Sequence, residues 1–181
     1  VLRSILKYDN KIIFNTLSGD LVVNCENNFY FLDFPVRKAV KSSLPEEIRL
    51  ALNIQPLEVY KSRDYMLVYN NEKEIRDISI NRQEFDKINL GYGGVIVTAK
   101  SDSKDFVSRY FTPQATILED PVTGSAHCTL IPFWSERLNR IELEALQLSD
   151  RGGKLYCRYM KDRVIIGGQA RIFSKGVIFI P

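Results

Sequence analysis

The residues best suited to chemistry lie between Glu119 and His127, in the sequence Glu-Asp-Pro-Val-Thr-Gly-Ser-Ala-His. This irregular stretch leads directly into a predicted buried helix, whose first amides have no partner within the helix. Because the helix dipole favours negative charge there, such a start can hold a carboxylate or a phosphate. Gly124 presents no side chain that would block a ligand, Ser125 offers a hydroxyl, and Asp120 is close enough in the chain to transfer a proton. The stretch therefore predicts a small-anion site with a proton-transfer group beside it.

Capping is the plainer interpretation of the same residues, and spacing alone favours it. Thr123 or Asp120 would then be only an N-cap, and Asp120-Pro121 an ordinary turn. A hydrolase is not indicated, because Ser125 and His127 are two residues apart on a helix and do not face each other. The second glycine of a nucleophile elbow is also missing. We expect His127 to be structural, or to form a hydrogen bond near the substrate end of the helix.

Composition argues against several other kinds of site. The three cysteines, Cys25, Cys128 and Cys157, contain no CxxC pair and the chain has one histidine, so neither a disulfide framework nor a zinc site is expected. The 25 Lys and Arg are interspersed with 22 Asp and Glu, which does not favour nucleic-acid binding. No apolar run approaches the roughly 20 residues of a membrane helix. We therefore expect a cytoplasmic protein with reduced thiols. Separately, Arg109 lies in a predicted strand beside two aromatic residues, and we expect it to form a surface salt bridge.

The elements that must position the acidic stretch are mostly strands. Short runs rich in β-branched and aromatic residues, separated by turn residues, predict them. Capping pairs predict short helices over 45–53, with Ser43 as the N-cap, and from Asn81 to Ile88. The predicted strands cover residues 11–16, 20–25, 29–33, 57–61, 65–70, 95–100, 105–111, 142–148, 154–160, 163–167, 170–173 and 177–180.

One longer helix is predicted from Ser125 to Leu138. Apolar residues lie around most of its circumference, which is typical of a helix buried in the middle of a fold. Many short strands with one buried helix among them predict an α+β fold in which a curled sheet wraps around a central helix.

Five motifs in register resemble those of the PhzF-like proteins of the phenazine-biosynthesis group. Together they span the C-terminal part of the chain, and the strands before them are compatible with the same family. The motifs are Ser108-Arg109-Tyr110-Phe111-x-Pro113, the stretch from Glu119 to His127, Pro132-x-Trp134, Gln147-x-Ser149-x-Arg151-Gly152-Gly153, and Arg163-Val164-x-Ile166-x-Gly168-x-Ala170.

The resemblance implies a diaminopimelate-epimerase-like fold, in which two pseudo-symmetric halves each wrap a sheet around a central helix. Residues 1–34 would be the tail of the N-terminal half. Residues 35–175 would form the C-terminal barrel domain, with its central helix at about 125–138. Residues 176–181 would form a final strand that crosses back to the first half.

The function that the resemblance implies is a cofactor-independent isomerase or epimerase, acting by proton transfer next to the carboxylate of a small acid. Carried over by motif, Asp120 and Ser125 would be catalytic, and Thr123, Gly124 and Ala126 would bind the substrate, with no metal involved. The alternative is a non-catalytic small-anion-binding or interaction domain of the same fold.

Two features of the family have no counterpart in this sequence. The principal acid/base is a glutamate of the N-terminal half, and a Gly-His-Ala-Thr stretch opens the other central helix. We therefore expect this chain alone to be inactive, with the other half-site coming from the intact protein or from a separate N-terminal fragment. The resemblance also favours a homodimer. Cysteine is missing from the helix-opening motif, which argues against the two-thiol mechanism of the epimerase relatives.

Overall fold

A computed structural model describes residues 11–17, 19–177 and 179, and within them eleven strands form one mixed sheet accompanied by four helices. The strands are β1 (Lys11–Thr16), β2 (Gly19–Glu26), β3 (Phe29–Pro35), β4 (Val40–Lys41), β5 (Glu58–Lys61), β6 (Tyr65–Val68), β7 (Val95–Lys100), β8 (Phe106–Phe111), β9 (Glu142–Gln147), β10 (Gly153–Met160) and β11 (Arg163–Gly168). The helices are α1 (Glu46–Ala51), α2 (Glu72–Asp77), α3 (Arg82–Phe85) and α4 (Gly124–Leu138).

The strands follow the chain across the sheet except at one point. Their order is β1-β2-β3-β11-β10-β9-β8-β7-β6-β5-β4, so the last strand lies between β3 and β10. The pairings are antiparallel apart from β6 with β7 and β8 with β9, which are parallel. The pairing of β3 with β11 joins the N-terminal meander to the rest of the sheet.

Helix α4 is the centre of the main hydrophobic core. It contributes Leu130 and Trp134, and strands from β6 to β11 contribute side chains such as Met66 and Ile166 to the same cluster. Because strands so far apart in the sheet contact one helix, the sheet must curl around it. The predicted α+β fold, with a sheet wrapped around a central helix, is confirmed.

A second core lies on the outer face of β6–β8, beneath α1, α2 and α3. Successive residues of β7 alternate between the two cores, with Ile96 in the α4 cluster and Val95 and Val97 in the outer one. Both faces of β7 are therefore buried, which explains why its sequence is apolar without alternation.

Two predicted elements differ from the structure. The capping box of Ser43 does not form, because α1 begins later, with Pro45 at the N-cap position and no side-chain capping bond. The prediction of a strand over 170–173 is wrong, since those residues are exposed and lie outside any strand. A run of β-forming residues becomes a strand only when a neighbour supplies pairing and packing.

The domain limits implied by the resemblance stay predictions. Of the predicted final strand over 176–181, Gly176, Val177 and Phe179 are not in a strand, and the other positions lie outside the described residues. Residues 1–10 of the predicted N-terminal tail also lie outside them. None of the helices seen in the described part of the chain is long and apolar enough to cross a membrane.

Candidate active site

The segment that leads into α4 is fixed by one buried side chain, Gln147 of β9. Its Nε2 donates to the carbonyl oxygen of Asp120 at 2.8 Å and to Thr123 Oγ1 at 3.0 Å. Its Oε1 accepts the backbone N–H of Thr123 at 2.8 Å. Gln147 is only 1% exposed, so these bonds form away from competing water and hold the segment in one position.

Asp120 has one carboxylate oxygen that is held and one that is available. Oδ2 accepts the hydroxyl of Thr123 at 2.6 Å, and the backbone N–H of Asp120 donates to the carbonyl of Tyr110 at 3.0 Å. Oδ1 has no hydrogen-bond partner within the described part of the chain. Because the side chain is only half-buried, this second oxygen can meet a ligand.

The start of α4 is not capped in the way that the plainer interpretation predicted. Thr123 occupies the N-cap position, but its side chain makes no capping bond, and its hydroxyl instead donates to Asp120 and accepts from Gln147 Nε2. The amides of Gly124, Ser125 and Ala126 form no hydrogen bond among the residues that the structure describes. Three N–H groups at the positive end of the helix are thus free to bind an anion.

The predicted substrate-binding residues differ in what they can offer. Gly124 is half-buried and lines a cleft of about 670 Å³, where an added Cβ would lie 3.9 Å from the ring of Phe34. Ala126 is 2% exposed and its methyl group belongs to the α4 core, so only its backbone amide can serve a ligand. The Thr123 hydroxyl is engaged with Asp120 and Gln147, so Thr123 shapes the site from behind.

Ser125 contacts a side chain that sequence reasoning missed. Nη2 of Arg63, in the turn between β5 and β6, donates to Ser125 Oγ at 3.0 Å. Arg63 is also paired with the fully buried Asp64, with 2.8 Å between Nη2 and Oδ2. Asp64 Oδ1 accepts from the Gly94 amide at 2.9 Å and from the Tyr110 hydroxyl at 3.0 Å. In sequence, an Arg-Asp pair in a hairpin turn is indistinguishable from an ordinary surface turn.

His127 is a structural residue in this arrangement. It is fully buried, and its Nδ1 lies 2.8 Å from the carbonyl oxygen of Thr123, so Nδ1 carries the proton and donates it. Burial lowers the pKa of His127 to about 4, which keeps the ring neutral near pH 7. Nε2 is buried without a partner in the described part of the chain. The expected hydrogen bond near the substrate end of the helix is therefore present, but the ring does not face a ligand.

Arg109 does not form the surface salt bridge expected of it. Its guanidinium pairs with both carboxylate oxygens of Glu119, at 2.7 and 2.8 Å, and donates to the carbonyl of Ile78 at 2.8 Å. The two side chains are 14% and 19% exposed, so the pair is largely buried. The first residue of the acidic stretch thus has a structural role, because it ties the loop after β8 to the rest of the fold.

Among the residues it describes, the structure shows no metal site, and the thiols of Cys128 and Cys157 are not activated. No group of three or more His, Cys, Asp or Glu side chains there could hold a metal ion. Cys128, in α4, and Cys157, in β10, are both buried, and burial raises the pKa of both thiols. Neither is suited to act as a thiolate acid/base.

Comparison with known proteins gives matches along nearly the whole chain. The model of a family described as phenazine biosynthesis-like protein matches residues 5–176. An uncharacterized isomerase of Pseudomonas aeruginosa is 43% identical over 169 residues, which cover 93% of this chain and 64% of that protein. An uncharacterized isomerase of Halalkalibacterium halodurans is 40% identical over 166 residues, covering 90% of this chain and 62% of that protein.

A solved structure of the same family has the same fold. The crystal structure of a phenazine biosynthesis protein of the PhzF family from Enterococcus faecalis superposes with a TM-score of 0.91 at 41% identity. That match covers 99% of this chain and 69% of the other. The chain thus spans 62–64% of the length of these two curated relatives.

Proposed function

The chain belongs to the phenazine biosynthesis-like protein family, and we propose that it carries one half of the active site of an isomerase that moves a proton next to the carboxylate of a small acid. The relatives named as isomerases support the reaction class. Because the chain spans less than two thirds of their length, we propose the activity for the protein at its natural full length.

The observation that carries this proposal is the free Oδ1 of Asp120 beside the unbonded amides at the start of α4. The substrate carboxylate would bind the amides of Gly124, Ser125 and Ala126 and the Ser125 hydroxyl. Asp120 Oδ1 would accept the proton from the neighbouring carbon, or return it. The electron pair left behind would move toward the bound carboxylate, where the helix N-terminus stabilises the added negative charge.

Isomerisation needs a second group when the proton returns to another carbon or to the opposite face. The family resemblance implies a glutamate for this role, which the present sequence does not contain at a matching motif. We propose that the 181 residues bind the acid but do not complete the reaction by themselves. No cofactor is required in this scheme, because the proton is moved without oxidation or reduction.

The test is solvent-deuterium incorporation into a panel of small amino and unsaturated acids, followed by proton NMR with the protein at its natural full length. Asp120→Asn should lower the exchange rate by about 100-fold or more, because it removes the proton-transfer group and keeps the side-chain shape. The control is Asp162→Asn, at an exposed position in the turn between β10 and β11, which should leave the rate unchanged. Unchanged exchange in folded Asp120→Asn would remove Asp120 from the mechanism.

A non-catalytic anion-binding protein of the same fold is the second candidate, and one observation favours it. The cleft beside Gly124 is lined by Arg151, Lys154 and Arg171, and by no Asp or Glu among the described residues. If binding is the whole function, phosphate should raise the melting temperature, because a ligand of the native state alone stabilises it. Under this candidate no acid of the panel would exchange deuterium at any rate above that of the buffer.

A further inference from the structure

The side chain that contacts Ser125 belongs to a turn distant in sequence. Arg63 lies between β5 and β6, and its Nη2 donates to Ser125 Oγ at 3.0 Å. The Arg63 side chain is 31% exposed, so its contact with Ser125 lies at the boundary between the core and the open start of α4.

Two neighbouring contacts bring this turn against one face of α4. Ser125 and Thr129 are four residues apart and therefore lie on the same side of the helix. Thr129 Oγ1 is 3.1 Å from the hydroxyl of Ser62, and Ser125 is bonded to the next residue of the turn, Arg63. Ser62 and Arg63, which are consecutive in the β5–β6 turn, thus hold that turn against the N-terminal part of α4.

The guanidinium is held from behind by Asp64. The Asp64 side chain is fully buried and accepts Nη2 of Arg63 at 2.8 Å, the Gly94 amide at 2.9 Å and the Tyr110 hydroxyl at 3.0 Å. A Cβ at Gly94 would lie 2.6 Å from the carbonyl oxygen of Phe111, so the amide can approach Asp64 only because this residue is glycine. These contacts leave Asp64, and with it Arg63, little freedom to move.

The direction of the bond determines what Ser125 can still do. A serine hydroxyl has one hydrogen to donate and two positions at which it accepts. Because Arg63 is a donor only, it occupies an accepting position of Ser125 Oγ and leaves the single hydrogen free. A carboxylate bound at the start of α4 accepts hydrogen bonds only, so the Ser125 hydrogen can bind it in addition to the amides.

We propose that Arg63, anchored by Asp64, is a positioning residue that orients the Ser125 hydroxyl to donate to a ligand carboxylate. This inference rests on the proposed function, since it assigns a partner to Ser125 of the same site. Because Asp64 balances the charge of Arg63, we expect Arg63 to act through Ser125 and not by attracting the ligand directly.

A double-mutant cycle with acetate as the probe tests the inference on the 181-residue chain. Amide chemical shifts of residues 124–126 report acetate binding in the unaltered chain, Arg63→Gln, Ser125→Ala and the double variant. Arg63→Gln should weaken acetate binding about tenfold, in the range of a charge-assisted hydrogen bond. If Arg63 acts through Ser125, the same substitution should change binding less than about twofold in the Ser125→Ala background.

The matched control is Arg163→Gln, which breaks another Arg–Asp pair whose arginine is about as exposed as Arg63. Arg163 is 33% exposed and its Nε lies 2.7 Å from Asp33 Oδ1. Leu32 and Phe34 pack against the α4 core, so Asp33 between them lies on the opposite face of β3. Acetate binding in this variant should stay within about twofold of the unaltered chain.

Arg63→Lys separates charge from geometry, because lysine keeps the charge but lacks the planar fork that reaches Asp64 and Ser125 together. We expect it to bind acetate as weakly as Arg63→Gln. Unaltered binding in Arg63→Lys, or equal losses from Arg63→Gln in both backgrounds, would overturn the positioning role. No acetate response in the unaltered chain would instead contradict the carboxylate site of the proposed function, and this inference with it.

Discussion

The side chains behind the site form more hydrogen bonds than the side chains proposed to act. Gln147 makes three hydrogen bonds to the segment that carries Asp120, and Asp64 accepts from three different residues. Asp120 and Ser125, by contrast, each keep an unused bonding position. This division suits a preorganised site, because the side chains proposed to bind substrate are held in place and still have hydrogen-bonding positions left for it.

The buried imidazole of His127 makes stability depend on pH. Burial lowers its pKa to about 4 from an ordinary value of 6.5, so the unfolded chain takes up the proton at higher pH than the folded chain. Stability should therefore fall as pH drops from 6.5 toward about 4, by at most about 3 kcal/mol. His127→Gln should remove this contribution, because glutamine stays neutral and can still donate to the Thr123 carbonyl.

Urea unfolding at about pH 7 and about pH 4.5 measures the effect. The free energy of unfolding of the unaltered chain should fall more between the two conditions than that of His127→Gln, since the carboxylates titrate in both proteins. Equal losses in the two proteins would show that His127 is not held neutral by the fold.

The sequence identified the residues proposed to act but not those that hold them. Asp120, Gly124 and Ser125 stand out because a motif and a helix start coincide there. Gln147 lies in one of the five motifs, but neither its role nor that of Arg63 could be predicted from the sequence, because their contacts join residues far apart in the chain and depend on how the sheet curls. The same dependence made the prediction for Arg109 wrong.

At the scale of elements, β10 positions the segment before α4 through a close contact. A Cβ at Gly153 would lie 2.5 Å from Cγ2 of Val122, a short β-branched side chain that cannot turn away freely. Gly153→Ala should therefore displace Val122 and, through Pro121, the segment that carries Asp120. We expect the free energy of unfolding to fall by about 1–3 kcal/mol, as in other overpacked sites, together with a loss of deuterium exchange.

Gly168→Ala is the matched control on the neighbouring strand β11. Its Cβ would find its nearest neighbour at 3.8 Å, the carbonyl oxygen of Lys154, and its backbone does not require glycine. Denaturant unfolding should show a smaller change than for Gly153→Ala. If the two substitutions cost the same, the contact between β10 and the Asp120 segment does not limit the site.

Most elements were predictable because their patterns are local. Strands β1, β7 and β11 and the long helix α4 begin and end within about two residues of their predicted limits. Helix α2 was missed although a local cap marks its start, where the Asn71 side chain accepts the Glu74 amide at 2.9 Å. The helix also has distant partners. Glu72 at its start is buried and accepts from the Ser101 hydroxyl at 2.8 Å and the Asp102 amide at 3.0 Å.

At the scale of the whole molecule, the buried helix predicted a sheet wrapped around it, and the family resemblance predicted a diaminopimelate-epimerase-like fold. Neither predicted the order of the strands in the sheet. The place of β11 between β3 and β10, and the two parallel pairings, are contacts between segments distant in sequence. Such pairings depend on which strands complete the core around α4, and short local patterns carry no information about that choice.

The most direct test of the central claim is a crystal structure of the protein at its natural full length, with an acid that exchanges deuterium bound. We predict the acid's carboxylate at about 3 Å from the amides of residues 124–126, with Asp120 Oδ1 facing the carbon that exchanges. A carboxylate bound instead in the cleft of about 590 Å³ lined by Asn24, Arg140 and Arg158 would contradict the account, because that position leaves Asp120 and the start of α4 without a role.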